Sequence, residues 1–231
     1  MIYLTGDIHG GRRLPDRLKD CNYLTEKDIL IVLGDFGLIF APEQTEEEDY
    51  WLRWLANKPW KTLFLDGNHE NHVRLNEYSE VICYGSAARE IIENKIYYLE
   101  RGNVYTIEDK KMFIMGGATS IDSYLRTMYV DWWPEENISS ADMTNAYFNL
   151  ERHNFKVDYV LTHAAPEDIA EIVLKNGLNV TNIYDDPNAK ALSVILSDIK
   201  FKKWYFGHYH IDYKVNNLFQ CLYTSIIKLG D

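Results

Sequence analysis

Short apolar runs that stop abruptly at glycine and a polar residue recur along this chain. Ile2 to Thr5 leads into Gly6 and Asp7, Ile29 to Leu33 into Gly34 and Asp35, and Leu63 to Leu65 into Asp66, Gly67 and Asn68. This pattern predicts buried strands ending at a sheet edge. The second run is apolar throughout, which predicts a strand covered on both faces. Between the runs, Leu14, Leu18 and Cys21 fall at helical spacing. Thr45, with Glu48 three residues on, opens like a capping box ahead of Tyr50, Trp51, Trp54 and Leu55 at helical spacing. The acidic first turn EEED reads as a solvated helix start rather than a metal site.

From Asn94 the texture changes to KIYYLE, NVYTIE, a turn at Asp109 to Lys111, and MFIMGG. These pieces predict antiparallel strands of a second sheet. Gly116 and Gly117 release the chain into a long connection rich in Tyr and Trp, a kind that is usually functional or flexible. Beyond it the pattern predicts a helix near Met143 to His153 and a strand from Val157 to Leu161 that ends in Thr162 and His163. Helices follow around Pro166 to Lys175 and Asn188 to Ile199. A strand from Lys203 to Phe206 ends in GHYH, and a hairpin turns at Asn216 and Asn217. No repeat, low-complexity tract or linker interrupts the 231 residues, so a single domain over 1–231 is expected.

Composition narrows the function classes. Hydrophobic content of 46% with 26% charged residues argues against disorder. A net charge of −11 argues against a general nucleic-acid binder, which gains affinity by neutralising phosphates. No apolar run approaches the roughly 18 residues a membrane span needs. The strand-like IYLTGD starts at the second residue and leaves no room for a signal peptide, so the mature chain is expected to begin at Met1. Cys21, Cys83 and Cys221 are scattered without CxxC spacing, which fits neither a disulfide framework nor a zinc ribbon and suits a reducing cytoplasm.

Candidate chemistry gathers at the strand ends. Five of the seven histidines, His9, His69, His163, His208 and His210, directly follow a predicted strand. Asp7 and His9 are two apart, as are His208 and His210, so in extended backbone each pair leaves one face. In open α/β sheets, residues just past the carboxyl ends of strands sit where ligands bind. Asp7, Asp35 and the Asn68 amide oxygen complete a donor set that suits Mn²⁺, Fe or Zn²⁺ better than all-oxygen Mg²⁺. A lone DxH or HxH is most often a surface or satisfied core element. Five such strand ends in consistent order outweigh that bland reading.

GDIHG, GD, GNHE, a strand ending in TH and a final GHYH, in this order from residue 6 to 210, resemble the motif series of the calcineurin-like metallophosphoesterase superfamily. The resemblance implies an α/β fold, a four-layer αββα sandwich with two mixed central β-sheets and a dinuclear metal centre at their edge. It implies that Asp7, His9 and His210 hold one metal, that Asn68, His163 and His208 hold the other, and that Asp35 bridges both. His69 would bind no metal and would act as proton donor to the leaving group. The implied function is hydrolysis of a small or medium phosphate mono- or diester by attack of a metal-bridging hydroxide. The implied cofactors are two divalent transition-metal ions, manganese ahead of iron, zinc, nickel or cobalt, and the partner a small-molecule phosphate ester.

The chain departs from the superfamily's protein phosphatases, which carry GDxVDRG where this sequence has GDFGLIF. That counts against a protein phosphatase and removes a phosphate-binding arginine. Among Arg12, Arg13, Arg53, Arg74 and Arg126, the preferred replacement is Arg126, in the long aromatic connection beside Asp122, set against the reading of a solvated arginine paired with a nearby acid. His72 reads equally as a site neighbour or a surface residue at a helix start, and His153 as a helix end. Tyr124, Tyr129, Trp132 and Trp133 offer either a base-stacking surface or aromatic pins for the long connection. Two alternatives to the enzyme stand: a catalytically silent interaction scaffold of the same fold, and a nuclease, which the acidic balance disfavours.

Overall fold

Alternate side chains of each buried strand enter different cores, and this alternation sets the layers. The computed structural model describes residues 1–180 and 185–231. Strand β1 (Ile2–Thr5) is followed by a single helical turn, α1 (Leu14–Arg17), then β2 (Ile29–Leu33), α2 (Glu46–Ala56), β3 (Lys61–Leu65) and α3 (His72–Glu77). Three strands come next, β4 (Ser79–Cys83), β5 (Ser86–Ile92) and β6 (Ile96–Leu99), and then the pair β7 (Val104–Ile107) and β8 (Lys110–Met115). The long connection leads to α4 (Ser140–Arg152), β9 (Tyr159–Thr162), α5 (Glu167–Ile172), α6 (Pro187–Asp198) and β10 (Lys203–Phe206). The short strands β11 (Tyr213–Lys214), β12 (Phe219–Cys221) and β13 (Ile227–Lys228) close the chain.

The first sheet has the order β13-β1-β2-β3-β6-β5-β4 and the second β11-β12-β10-β9-β8-β7. Each is mixed. β1, β2, β3 and β6 run parallel, as do β8, β9, β10 and β12, with antiparallel strands at the edges. In β2, Ile29, Ile31 and Leu33 join Ile114 of β8, Leu161 of β9 and Tyr205 of β10 in the core between the sheets. Leu30 and Val32 face the other way, against Leu14 of α1, Trp51 and Leu55 of α2 and Leu75 of α3. On the second sheet's outer side, Phe113, Val160 and Trp204 meet Leu150 of α4, Ile169 of α5 and Ile195 of α6. Three cores of this kind require four layers, helices outside two sheets, as the α/β expectation had it.

Local signals decide the helix starts. Thr45 Oγ1 accepts from the Glu48 N–H at 3.0 Å, a cap worth about 1 kcal/mol. The other half of the expected capping box is absent, because the Glu48 carboxylate is buried against the Arg74 guanidinium, with Nη1 donating at 2.8 Å. The solvated reading of EEED therefore holds for the exposed Glu46 and Glu47 and fails at Glu48. Such a cation offsets the cost of taking the carboxylate out of water.

Two further expectations need correction. KIYYLE supplies β6, which pairs parallel with β3 (Thr62↔Ile96, Phe64↔Tyr98) and belongs to the first sheet, not the second. All four of its residues are buried, so its pattern held no clue to the partner. The half-exposed hairpin β4–β5 was not anticipated at all, since its side chains bury too little to leave an alternation. The region read as a helix around Leu14 forms only one α-turn between 3₁₀ turns.

Candidate metal centre

The parallel strands of both sheets deliver their carboxyl ends to one edge. Asp7 and His9 follow β1, Asp35 follows β2, Asn68 and His69 follow β3, His163 follows β9, and His208 and His210 follow β10. All of the sequence-predicted ligands meet there. His9 Nε2 lies 2.9 Å from His210 Nε2. The rings of His163 and His208 have centroids 5.1 Å apart. Asp35 stands between these pairs, with Oδ2 3.8 Å from His9 Nε2 and Oδ1 3.2 Å from His163 Nε2. The amide of His208 donates to Asp7 Oδ1 at 3.0 Å and that of His69 to Asp35 Oδ1 at 2.9 Å.

Such convergence strains the backbone and leaves no room for side chains beside it. His9, Asp35, His208 and His210 all have positive φ, from 46° to 70°. For non-glycine residues this costs about 1–3 kcal/mol each and concentrates at functional sites. Gly67 is required for close approach: a Cβ there would lie 2.2 Å from Asp35 Oδ1 and 2.6 Å from His163 Nε2.

The protonation states follow from burial and charge. Burial lowers His208 to about 3 and His9 to about 4, and it lowers His210 as well, so these imidazoles are neutral at neutral pH and able to ligate. Burial raises Asp7 to about 7. It opposes charge on Asp35 too, but His163 above all holds that carboxyl well below the usual range. Burial works against a charged His163, yet Asp35 and Asp7 push it up to about 10. The buried trio Asp7, His163 and Asp35 thus holds a proton where a cation would otherwise balance its charge.

The donor atoms themselves test the fit to metal. Asp7 Oδ2 and Asn68 Oδ1 are buried without a hydrogen-bond partner, and His163 Nε2 meets only Asp35 Oδ1, at 3.2 Å. Orphaned buried groups are costly, and two of them on two predicted ligands fit cation binding. His163 Nδ1 lies 2.7 Å from the Leu33 carbonyl, which only accepts, so Nδ1 keeps its proton, and the proton a cation would displace is the one on Nε2, whose loss frees the lone pair there. Ligand atoms of Asp7, Asp35 and His163 fall within 4.8 Å of one another, as do those of His9, Asp35 and His69. Asp35 is common to both groups.

Beside the cluster lies a cavity of about 510 Å³, lined by His69, His210, Arg126, Ala170, Leu174 and Ala189 among others. Arg126 reaches it while bonded to Asp122 through Nε at 2.9 Å, so it is both a cavity residue and a paired one. Trp133 is 1% exposed and packs edge-on against Phe40 at 5.1 Å, which makes it a pin and leaves no face for a base. Tyr124 and Tyr129 are exposed, and His153 caps the C-terminus of α4.

Of the supporting residues, His72 is open to two readings in the sequence, and the others escaped the sequence reading. His72 begins α3, but it is buried, with Nε2 3.2 Å from Asp66 Oδ2. Burial alone would raise Asp66, but Arg101 and His72 hold it well below the usual carboxylate range. Glu70 accepts from the amides of Gly37 and Gly67, tying the β2 and β3 loops together. Its place in GNHE was a signal for this. Ser120 and Glu136, which lie behind Asn68, had none.

Two mixed sheets between helices, with imidazole, carboxylate and amide donors at their common edge, define the class of metal-dependent phosphoesterases. The chain belongs to the calcineurin-like phosphoesterase family, whose model matches residues 1–212. A comparison with curated proteins gave no significant match.

Proposed function

We propose that the chain is a single-domain, dinuclear-metal-dependent hydrolase of a small or medium phosphate ester. The observation that carries this reading is Asp35, whose two oxygens face two different histidines, His9 and His163. Asp7, His9 and His210 would hold one divalent ion, Asn68, His163 and His208 the other, with Asp35 bridging. Two such ions supply an activated water and Lewis acidity toward phosphoryl oxygens at neutral pH. The mixed nitrogen and oxygen set accepts manganese, the first ion we would load, and equally iron, zinc, nickel or cobalt.

The chain's own residues do the rest. His69 borders the cavity and gives a proton to the departing ester oxygen. Arg126, held in place by Asp122, binds a phosphate oxygen. The apolar wall of Ala170, Leu174 and Ala189 takes the organic half of the ester, and a cavity of about 510 Å³ suits a small or medium one. Among the described residues no helix is long and apolar enough to cross a membrane. Cys21, Cys83 and Cys221 are unpaired, in keeping with a cytoplasmic location.

The test is an assay of metal-reconstituted protein with p-nitrophenyl phosphate and bis-p-nitrophenyl phosphate. Turnover of either with Mn²⁺, abolished by chelation, is expected. No turnover with Mn²⁺, Ni²⁺, Co²⁺ or Fe²⁺ would overturn the enzyme and leave the scaffold.

A further inference from the structure

The connection after Gly117 brings two buried polar side chains behind Asn68. Ser120 and Glu136 are 3% and 1% exposed. Asn68 Nδ2 donates to Ser120 Oγ at 3.2 Å. Ser120 donates from its amide and its hydroxyl to the two carboxylate oxygens of Glu136, each at 2.7 Å. The acid is itself clamped: Arg101 donates to the Glu136 carbonyl at 3.1 Å and to the Asn137 carbonyl at 3.0 Å. Gly117, at φ +91°, lets the connection close on itself, since a Cβ there would lie 2.7 Å from the Glu136 carbonyl oxygen.

With Glu136 as a carboxylate, the contacts set the polarity of this chain of bonds. An ionised carboxylate only accepts. The Ser120 hydroxyl proton therefore points to Glu136, and Oγ has only lone pairs left for Asn68. An N–H must answer them, so Asn68 turns Nδ2 to the serine and keeps Oδ1, buried and without partner, free. A flipped amide would set two acceptors face to face and offer N–H groups where a ligand oxygen is needed.

We propose that Ser120 and Glu136 are positioning residues of the metal centre, which hold Asn68 with its oxygen toward the cation and polarise it through the serine hydroxyl. The proposal rests on Asn68 being a ligand. It gives the long aromatic connection a function: Trp133 and Arg101 fix it so that Glu136 sits behind Asn68. Partners behind a ligand typically contribute about 10–100-fold in metal affinity.

Glu136→Gln is the decisive variant because it is isosteric. The glutamine oxygen must accept from the Ser120 amide, which leaves its NH₂ facing Ser120 Oγ. The serine proton then turns to Asn68 and selects the flipped amide. The experiment is Mn²⁺ titration of metal-stripped wild type, Glu136→Gln, Ser120→Ala, Ser120→Thr and Asn68→Ala, read by electron paramagnetic resonance of free Mn²⁺. Thermal unfolding of each stripped protein is measured in parallel. Glu136→Gln and Ser120→Ala should weaken one of two ions about 10–100-fold and leave the other unchanged, with Ser120→Thr restoring affinity. Wild-type binding in both variants, while Asn68→Ala loses one ion, overturns the positioning role and spares the ligand. Wild-type binding in Asn68→Ala overturns the ligand reading itself. Equal weakening of both ions, with a lowered unfolding midpoint in the stripped protein, reduces Ser120 and Glu136 to structural residues.

Discussion

Replacing His69 by alanine separates proton donation from metal binding. The bond that His69 makes to Asp35 comes from its backbone amide, at 2.9 Å, and survives the substitution. The ring packs edge-on to His9 at 5.0 Å and near Phe40 at 5.7 Å, bordering the cavity beside Arg126. Removing it should leave both metals in place. A positioned general acid contributes about 10²–10⁴ in rate. At 1.36 kcal/mol per decade this is about 2.7–5.4 kcal/mol of transition-state stabilisation. An alkyl phosphate, whose alkoxide needs the proton, should lose that factor in kcat. p-Nitrophenolate leaves without a proton, so its ester should lose less than about tenfold. The assay is kcat for both esters in wild type and His69→Ala, with metal content measured on the same samples. Equal losses on both esters would remove the acid role. Loss of a metal would make the ring a ligand, a role its place within 4.8 Å of the His9 and Asp35 donor atoms permits.

Asp35→Asn should weaken both ions together, because one oxygen faces His9 and the other His163; elemental analysis showing one metal fully retained would contradict the bridge. Arg101→Met should destabilise the metal-stripped protein by about 3–5 kcal/mol, because it leaves the Asp66 carboxylate buried without its guanidinium. For a chain of this size the unfolding midpoint would fall by about 6–20 °C. A loss below about 1 kcal/mol would show that Asp66 finds another partner or takes a proton.

Strands that end in a motif were the most legible part. β1, β2, β3 and β10 lie where their apolar runs stop, and each of the eight predicted metal and acid residues arrives at the common edge. The side-chain period of two and the glycine at each strand end carry that information locally. Thr45 was legible for the same reason, its cap being a contact three residues long. β6, β4 and β5 were not, since a short, fully buried or half-exposed strand does not encode its neighbour. Arg126 lines the cavity and is paired with Asp122, so its two readings, a phosphate-binding arginine or one tied to a nearby acid, both keep their footing in the structure.

By itself the order of residues determined which donors exist and that each follows a strand, because hydrophobic alternation and glycine punctuation are short-range properties. Tertiary structure alone decided what stands behind them. His72, open between two readings, went to Asp66 and not to the surface, Glu48 left the solvated helix start for Arg74, and Ser120 and Glu136, 52 and 68 positions beyond Asn68, came to stand in a hydrogen-bonded row behind it. A polar side chain taken out of water must find its partner wherever the fold brings one within about 3 Å, and separation along the chain says nothing of that distance.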